Sequence, residues 1–153
     1  KTAYEIRNCD WSSDVCSSDL YDIPTNVVPR VGAAVDYNAT SSTLTSGREN
    51  NRGLEGLALS PDGNFAYAML QNGTITDGAS GGSFARSMYT RILKYDTNTG
   101  ANVAQYAYRL EGTGPAPAQG RGISAIVALD AARFLVLERN NRGVGVQIGR
   151  AHV

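Results

Sequence analysis

Apolar residues in this chain come in short bursts of strand length, each closed by a turn signal. Leu54-Glu55-Gly56-Leu57-Ala58-Leu59 is the first informative burst, and Ser60-Pro61-Asp62-Gly63-Asn64 stops it. Pro presets φ, Asp caps its own backbone and Gly supplies a positive φ, so the stop is a turn. Phe65-Ala66-Tyr67-Ala68-Met69-Leu70 then returns, which predicts a hairpin whose first strand is buried. A Gly-rich loop over residues 72–88 leads to a third strand at 90–95, where Ile92 and Lys94 alternate with Leu93 and Tyr95. The Asp96-Thr97-Asn98-Thr99-Gly100 turn follows, then a fourth strand at 103–110 with period-2 alternation through Tyr106 and Tyr108. A Pro/Gly linker at 112–122 precedes a second hairpin, residues 123–129 and 133–138. Upstream, residues 21–50 are polar, with Val27-Val28 and residues 31–35 as short strands and 41–47 as a loop or hairpin. Val, Ile, Tyr, Phe and Thr dominate the periodic segments, and no helix is signalled.

The two hairpins overlay at a constant offset without a gap. Arg52-Gly53-Leu54-Glu55-Gly56-Leu57-Ala58 meets Arg121-Gly122-Ile123-Ser124-Ala125-Ile126-Val127, and Phe65 meets Phe134. Repeat units that cannot bury their own faces stack on their neighbours. Four strands followed by the opening hairpin of a second set predict an all-β fold. The prediction is a fragment of a β-propeller, about one and a half blades of antiparallel four-stranded sheet. The repeat is longer than the roughly 40–50 residues of compact propeller repeats, and the Gly-rich loop and the Pro/Gly linker account for the excess.

The scarce residue types sit at the two ends. Cys9, Trp11 and Cys16 fall in residues 1–20, and His152 falls in residues 148–153. Both stretches resemble translated sequencing-adapter sequence, read on opposite strands. On that basis they are non-native segments, and the domain is residues 21–147. A Cys9–Cys16 disulfide or a His152 base or metal ligand is then set aside. The remaining segment holds no Cys or His. By itself it cannot build a Ser-His-Asp triad, a Cys nucleophile, a histidine phosphatase site or the usual zinc site. Any hydrolysis would use carboxylates and a hard metal, or partners from other blades. Across the whole chain 14 Lys and Arg balance 14 Asp and Glu. The two signs are scattered with no basic stripe, which argues against a nucleic-acid partner. No apolar run approaches the roughly 18 residues that cross a membrane.

Asn51-Arg52-Gly53-Leu54-Glu55-Gly56-Leu57-Ala58-Leu59-Ser60-Pro61-Asp62-Gly63 resembles the phytase-like domain family, described as having esterase-like activity of phytase. The resemblance continues through Arg91-Ile92-Leu93-Lys94-Tyr95-Asp96 and Tyr106-Ala107-Tyr108, then through Gly122-Ile123-Ser124 and Arg133-Phe134-Leu135-Val136-Leu137-Glu138-Arg139. It implies a β-propeller, usually exported to the periplasm or the extracellular space. It also implies phosphoester or ester hydrolysis on a small-molecule substrate, with the missing blades supplied by a parent chain. The present chain is then expected to be inactive on its own. The alternative is a non-catalytic propeller that binds a ligand or a protein across its face, since fold does not fix function.

The candidate chemistry is carboxylate and arginine. First strands of blades line the central channel, which places Glu55 as a Ca²⁺ ligand or a general acid or base; the plainer expectation is a Glu paired with an Arg at the channel rim. Glu138 is a candidate metal ligand, and Arg139 is a candidate phosphate clamp because guanidinium offers a planar fork. The plainer expectation for these two is an adjacent pair on opposite faces of a strand, one of them in a surface ion pair. Arg52 and Arg121 precede their strands at equivalent repeat positions, as phosphate-binding residues or as structural caps where the strands begin. Asp62 and Asp96 are turn residues, and Asp77 is a lone acid without the spaced carboxylates of an EF-hand loop.

Overall fold

The computed structural model describes residues 21–40, 42–78, 87–111 and 121–140, with the backbone of residues 151–152. The Cys9, Trp11 and Cys16 stretch, residues 79–86 of the Gly-rich loop and most of the Pro/Gly linker lie outside the described residues. So does the rest of the C-terminal stretch. A minimal hairpin, β1 (Arg30–Val31) and β2 (Ala34–Val35), comes first. Strands β3 (Leu54–Leu59), β4 (Phe65–Leu70), β5 (Tyr89–Asp96) and β6 (Asn102–Arg109) form one antiparallel sheet in sequence order. Strands β7 (Arg121–Ala128), β8 (Phe134–Asn140) and β9 (Ala151–His152) form a second. Among the described residues the only helical element is a single 3₁₀ turn, Ile75–Asp77. The fold is all-β: one four-stranded propeller blade with part of a second packed beside it.

Local chemistry explains the turns. Ser60 N–H donates to Phe65 O at 2.8 Å, and Gly63 N–H to Ser60 O at 2.9 Å. The Asp62 carboxylate accepts from Asn64 N–H at 3.1 Å, and Gly63 takes the positive φ of 74° that the turn requires. In the β5–β6 turn, Asp96 Oδ1 accepts from the N–H groups of Asn98 and Thr99 at 2.9 and 3.0 Å.

The sheet is apolar on both faces, as a blade between neighbours must be. Tyr67, Met69 and Ile92 face the second sheet and pack against Ile123, Ile126 and Val136. Tyr67 meets Phe134 edge-on at 4.7 Å between centroids. The innermost strands approach most closely at Gly56. A Cβ there would lie 3.0 Å from Ile126 Cγ2 and 3.2 Å from Ile126 N, so glycine lets β3 and β7 touch. On the far face, Ala66, Ala68, Leu70, Leu93 and Tyr95 are covered by Val27, with Tyr21 and Ile23 packed alongside.

Three expectations need correction. Val27-Val28 is a turn, closed by Val27 N–H to Pro24 O at 2.9 Å, and Val27 plugs the far face. Strand β3 is not buried throughout: Leu57 and Leu59 are exposed. They pair with Ala68 and Ala66 and share their face, but the N-terminal cover lies over β4 and β5. The repeat is real in geometry, since both hairpins carry a bulge at the equivalent place, Leu54/Gly56 and Ile123/Ala125. It is not gap-free. Leu57 pairs with Ala68, whereas its counterpart Ile126 pairs with Val136, so the second turn is one residue shorter. Phe134 therefore matches Ala66 and not Phe65. A blade with two apolar faces hides such a slip, because either phase satisfies the hydrophobic pattern.

Met69→Ala should cost about 2–5 kcal/mol, the range for truncating a buried large side chain. Leu57→Ala should stay within about 0.5 kcal/mol. Urea unfolding of the two variants at constant slope checks this contrast.

Candidate functional site

Strands β3 and β7 begin, and β4 and β8 end, at the same edge of their sheets. Polar residues flagged in the sequence gather there because each sits just before a first strand or at the end of a second. Arg52 lies in the loop before β3. Its Nε sits 3.0 Å from Glu49 Oε2, and its Nη1 donates to Asn72 Oδ1 at 2.6 Å. Both partners are buried, and the pair ties the loop to the end of β4. Burial raises the Glu49 carboxyl above its ordinary value, against the pull of the Arg52 charge. Glu49 Oε1 has no hydrogen-bond partner among the described residues.

Glu55 is the bulged residue of β3 and is about one-third exposed, with Arg139 Nη2 at 3.5 Å from Oε2. The amide of Gln71 is satisfied when its oxygen faces Arg139. It then accepts from Nη2 at 2.7 Å while its nitrogen donates to Asn51 O at 3.1 Å. Asn51 holds a left-handed backbone conformation, φ 55°, which Asn tolerates better than most residues. Arg139 thus stands between a carboxylate on one blade and an amide at the end of that blade's second strand.

Glu138 is buried and faces the first sheet. Its Oε1 accepts from Tyr108 Oη at 2.9 Å, and Glu111 N–H donates to Oε2 at 3.1 Å. Burial and the adjacent Glu138 charge both push the Tyr108 phenol well above its ordinary value. Glu138 therefore links the end of β6 to β8. Glu138 and Arg139 lie on opposite faces of the strand, as expected, and Arg139 is in an ion pair with Glu55. Arg121 opens β7, where it pairs with Asn140; its side chain lies outside the described residues. Asp77 closes a capping box with Thr74 and receives Arg91 Nε at 2.7 Å. Burial alone would raise the Asp77 carboxyl, but the hydrogen bonds from Arg91 and Thr74 outweigh it and hold the carboxyl below its ordinary value.

A hard cation wants several oxygen ligands with free lone pairs. Among the described residues no group of three or more His, Cys, Asp and Glu is arranged to hold one. Glu138 is engaged by Tyr108 and Glu111, and Glu55 faces a guanidinium, so these two residues as placed do not fit a Ca²⁺ ion. The sequence reading missed Glu49, Gln71, Asn72 and Tyr108. Only Glu49 carried a usable signal, its three-residue spacing to Arg52; the others become partners through strand pairing.

Two outcomes follow from this geometry. A carboxyl whose folded pKa lies above its unfolded value favours the folded state below the ordinary value of 4.5. That contribution is lost as pH rises through the raised folded value. Glu49→Gln should therefore flatten the fall in stability expected for the wild type as pH is raised from about 4 to about 7, measured by denaturant unfolding. Tyr108→Phe should cost about 1.5–3 kcal/mol, the range for a hydrogen bond to a charged group, and added Ca²⁺ should leave that cost unchanged in thermal melts.

No curated protein and no solved structure matches the chain. A family model described as Phytase-like, esterase-like activity of phytase, matches residues 19–152. The motif that opens β3, the paired blades and this match agree, and the chain belongs to the phytase-like family.

Proposed function

We propose that this chain is the part of a phytase-like hydrolase that recognises the anionic group of a small phosphoester or ester substrate, and that Arg139 is the recognising residue. One observation carries the proposal: Arg139 stands at the rim between two blades, about one-third exposed, held by Glu55 at 3.5 Å and by the Gln71 amide. An exposed pair of this kind contributes little to stability, below about 1 kcal/mol, so it can be exchanged cheaply for a ligand. A substrate phosphoryl or carboxylate oxygen would take the guanidinium fork in a bidentate geometry. Glu55 would then be released next to the bound group, where an ionised carboxylate can accept a proton from an attacking water. Arg52 is committed to Glu49 and Asn72 and has a supporting role here. Calcium assistance is proposed only for the complete domain, with oxygen ligands drawn from residues other than Glu55 and Glu138.

A second reading has its own support. Each carboxylate at the junction already has a protein partner, as suits a propeller that binds a ligand across its face without turning it over. The complete domain, assayed on an aryl phosphate and an aryl ester with and without Ca²⁺, separates the two. Turnover that falls at least about tenfold in kcat/KM on Arg139→Lys, the loss of one charge-assisted hydrogen bond, supports the hydrolase. Retained ligand affinity with no turnover across the panel supports the binding module. The 153-residue chain assayed alone should show no turnover.

A further inference from the structure

Gln71 follows the last residue of β4 and is buried between the two blades, 6 % exposed. Its backbone is bonded on both sides. The N–H donates to Gly53 O at 2.8 Å in its own blade, and the carbonyl accepts from Ile123 N–H at 2.9 Å in the other. Its side chain runs past Gly122, where a Cβ would stand 3.0 Å from Gln71 Cγ and 3.3 Å from Gln71 O. At the tip, the amide nitrogen donates to Asn51 O at 3.1 Å and the amide oxygen accepts from Arg139 Nη2 at 2.7 Å. The orientation is forced, because the reverse one would set donor against donor at Arg139 and oxygen against oxygen at Asn51.

Arg139 thus has two unlike neighbours. Glu55 is charged, one-third exposed and at 3.5 Å, the limit of a hydrogen bond. Gln71 is neutral, buried and nearer, on a backbone that both blades clamp. When a substrate anion displaces Glu55, Gln71 is the neighbour that stays. A guanidinium held by a fixed acceptor keeps its direction during that exchange, and such preorganisation is what a recognition site gains from its supporting residues. The neutrality of the amide also matters. It holds the guanidinium without cancelling its charge, whereas a carboxylate in its place would pair with Arg139 and compete with the substrate.

We infer that Gln71 is the positioning residue of the site, holding Arg139 aimed while Glu55 gives way to the anionic group. The inference rests on the reading of Arg139 as the recognising residue. Asn51 is exposed and Arg139 partly so. Water can therefore take over both bonds when the amide is lost, and the effect falls on binding more than on folding.

The test is the affinity of the complete domain for inorganic phosphate and for acetate, measured by calorimetry. Gln71→Met fills the same slot without an acceptor and should weaken the tighter-bound probe at least about fivefold. Gln71→Glu keeps the shape and adds a charge, and should weaken it at least about tenfold. Circular dichroism checks that each variant keeps its β structure, and Gln71→Glu, the closer in shape, carries the test if Gln71→Met does not fold. Placed on Arg139→Met, either change at Gln71 should leave the residual affinity within about twofold, since the group it positions is gone. Wild-type affinity in Gln71→Met and Gln71→Glu, with Arg139→Met impaired, overturns the inference alone. So does an equal loss from the Gln71 change with and without Arg139, which marks a general structural effect. A wild type that binds neither probe, or an Arg139→Met variant that binds as the wild type does, overturns the Arg139 reading and the inference with it.

Discussion

The contact between the two sheets is the constraint on which the rest depends. A two-stranded hairpin is marginal alone in water, and β7–β8 gains its hydrophobic cover from Tyr67, Met69 and Ile92 of the neighbouring blade. Gly56 sets how near the sheets come, because its missing side chain is the space that Ile126 fills. The polar rim inherits its geometry from that core. Val136 is fixed in the interface, so Glu138 lands where Tyr108 and the Glu111 amide can reach it. Arg139, one residue on and on the opposite face, then lands beside Glu55.

The alternation rules recover the strands well because local signals are strong here. Asp62 and Gly63 close one turn and Asp96 and Gly100 another, and each does so by a hydrogen bond or a φ value that the residue type predicts. What the pattern does not settle is phase. Strands that are apolar on both faces read the same when shifted by one residue, so Phe134 aligns with Phe65 in sequence yet occupies the place of Ala66 in space. Exposure was also out of reach. Leu57 and Leu59 look like core, but their burial depends on what covers β3 and not on the residues themselves.

The rim shows the same division. Glu55, Arg52, Glu138 and Arg139 could be chosen from the sequence as the charged residues at strand ends. Their partners could not, since Gln71, Asn72 and Tyr108 arrive through pairing across distant segments. The structure separates the four by environment. Glu138 and Arg52 are drawn into buried networks that tie loops to strands, while Glu55 and Arg139 meet at a half-open rim where an exchange of partners is cheap. Family membership places that rim in a phytase-like hydrolase family, and under the proposal made above carboxylate and guanidinium are its working groups.

The most direct test of this account is native-state hydrogen exchange on β3, β4, β7 and β8. If the sheet-to-sheet core is the central interaction, the amides of Met69, Ile126 and Val136 share one opening free energy. Met69→Ala then lowers protection in β7 and β8 as much as in β4. Loss of protection confined to β3 and β4, with β7–β8 unchanged, would contradict it.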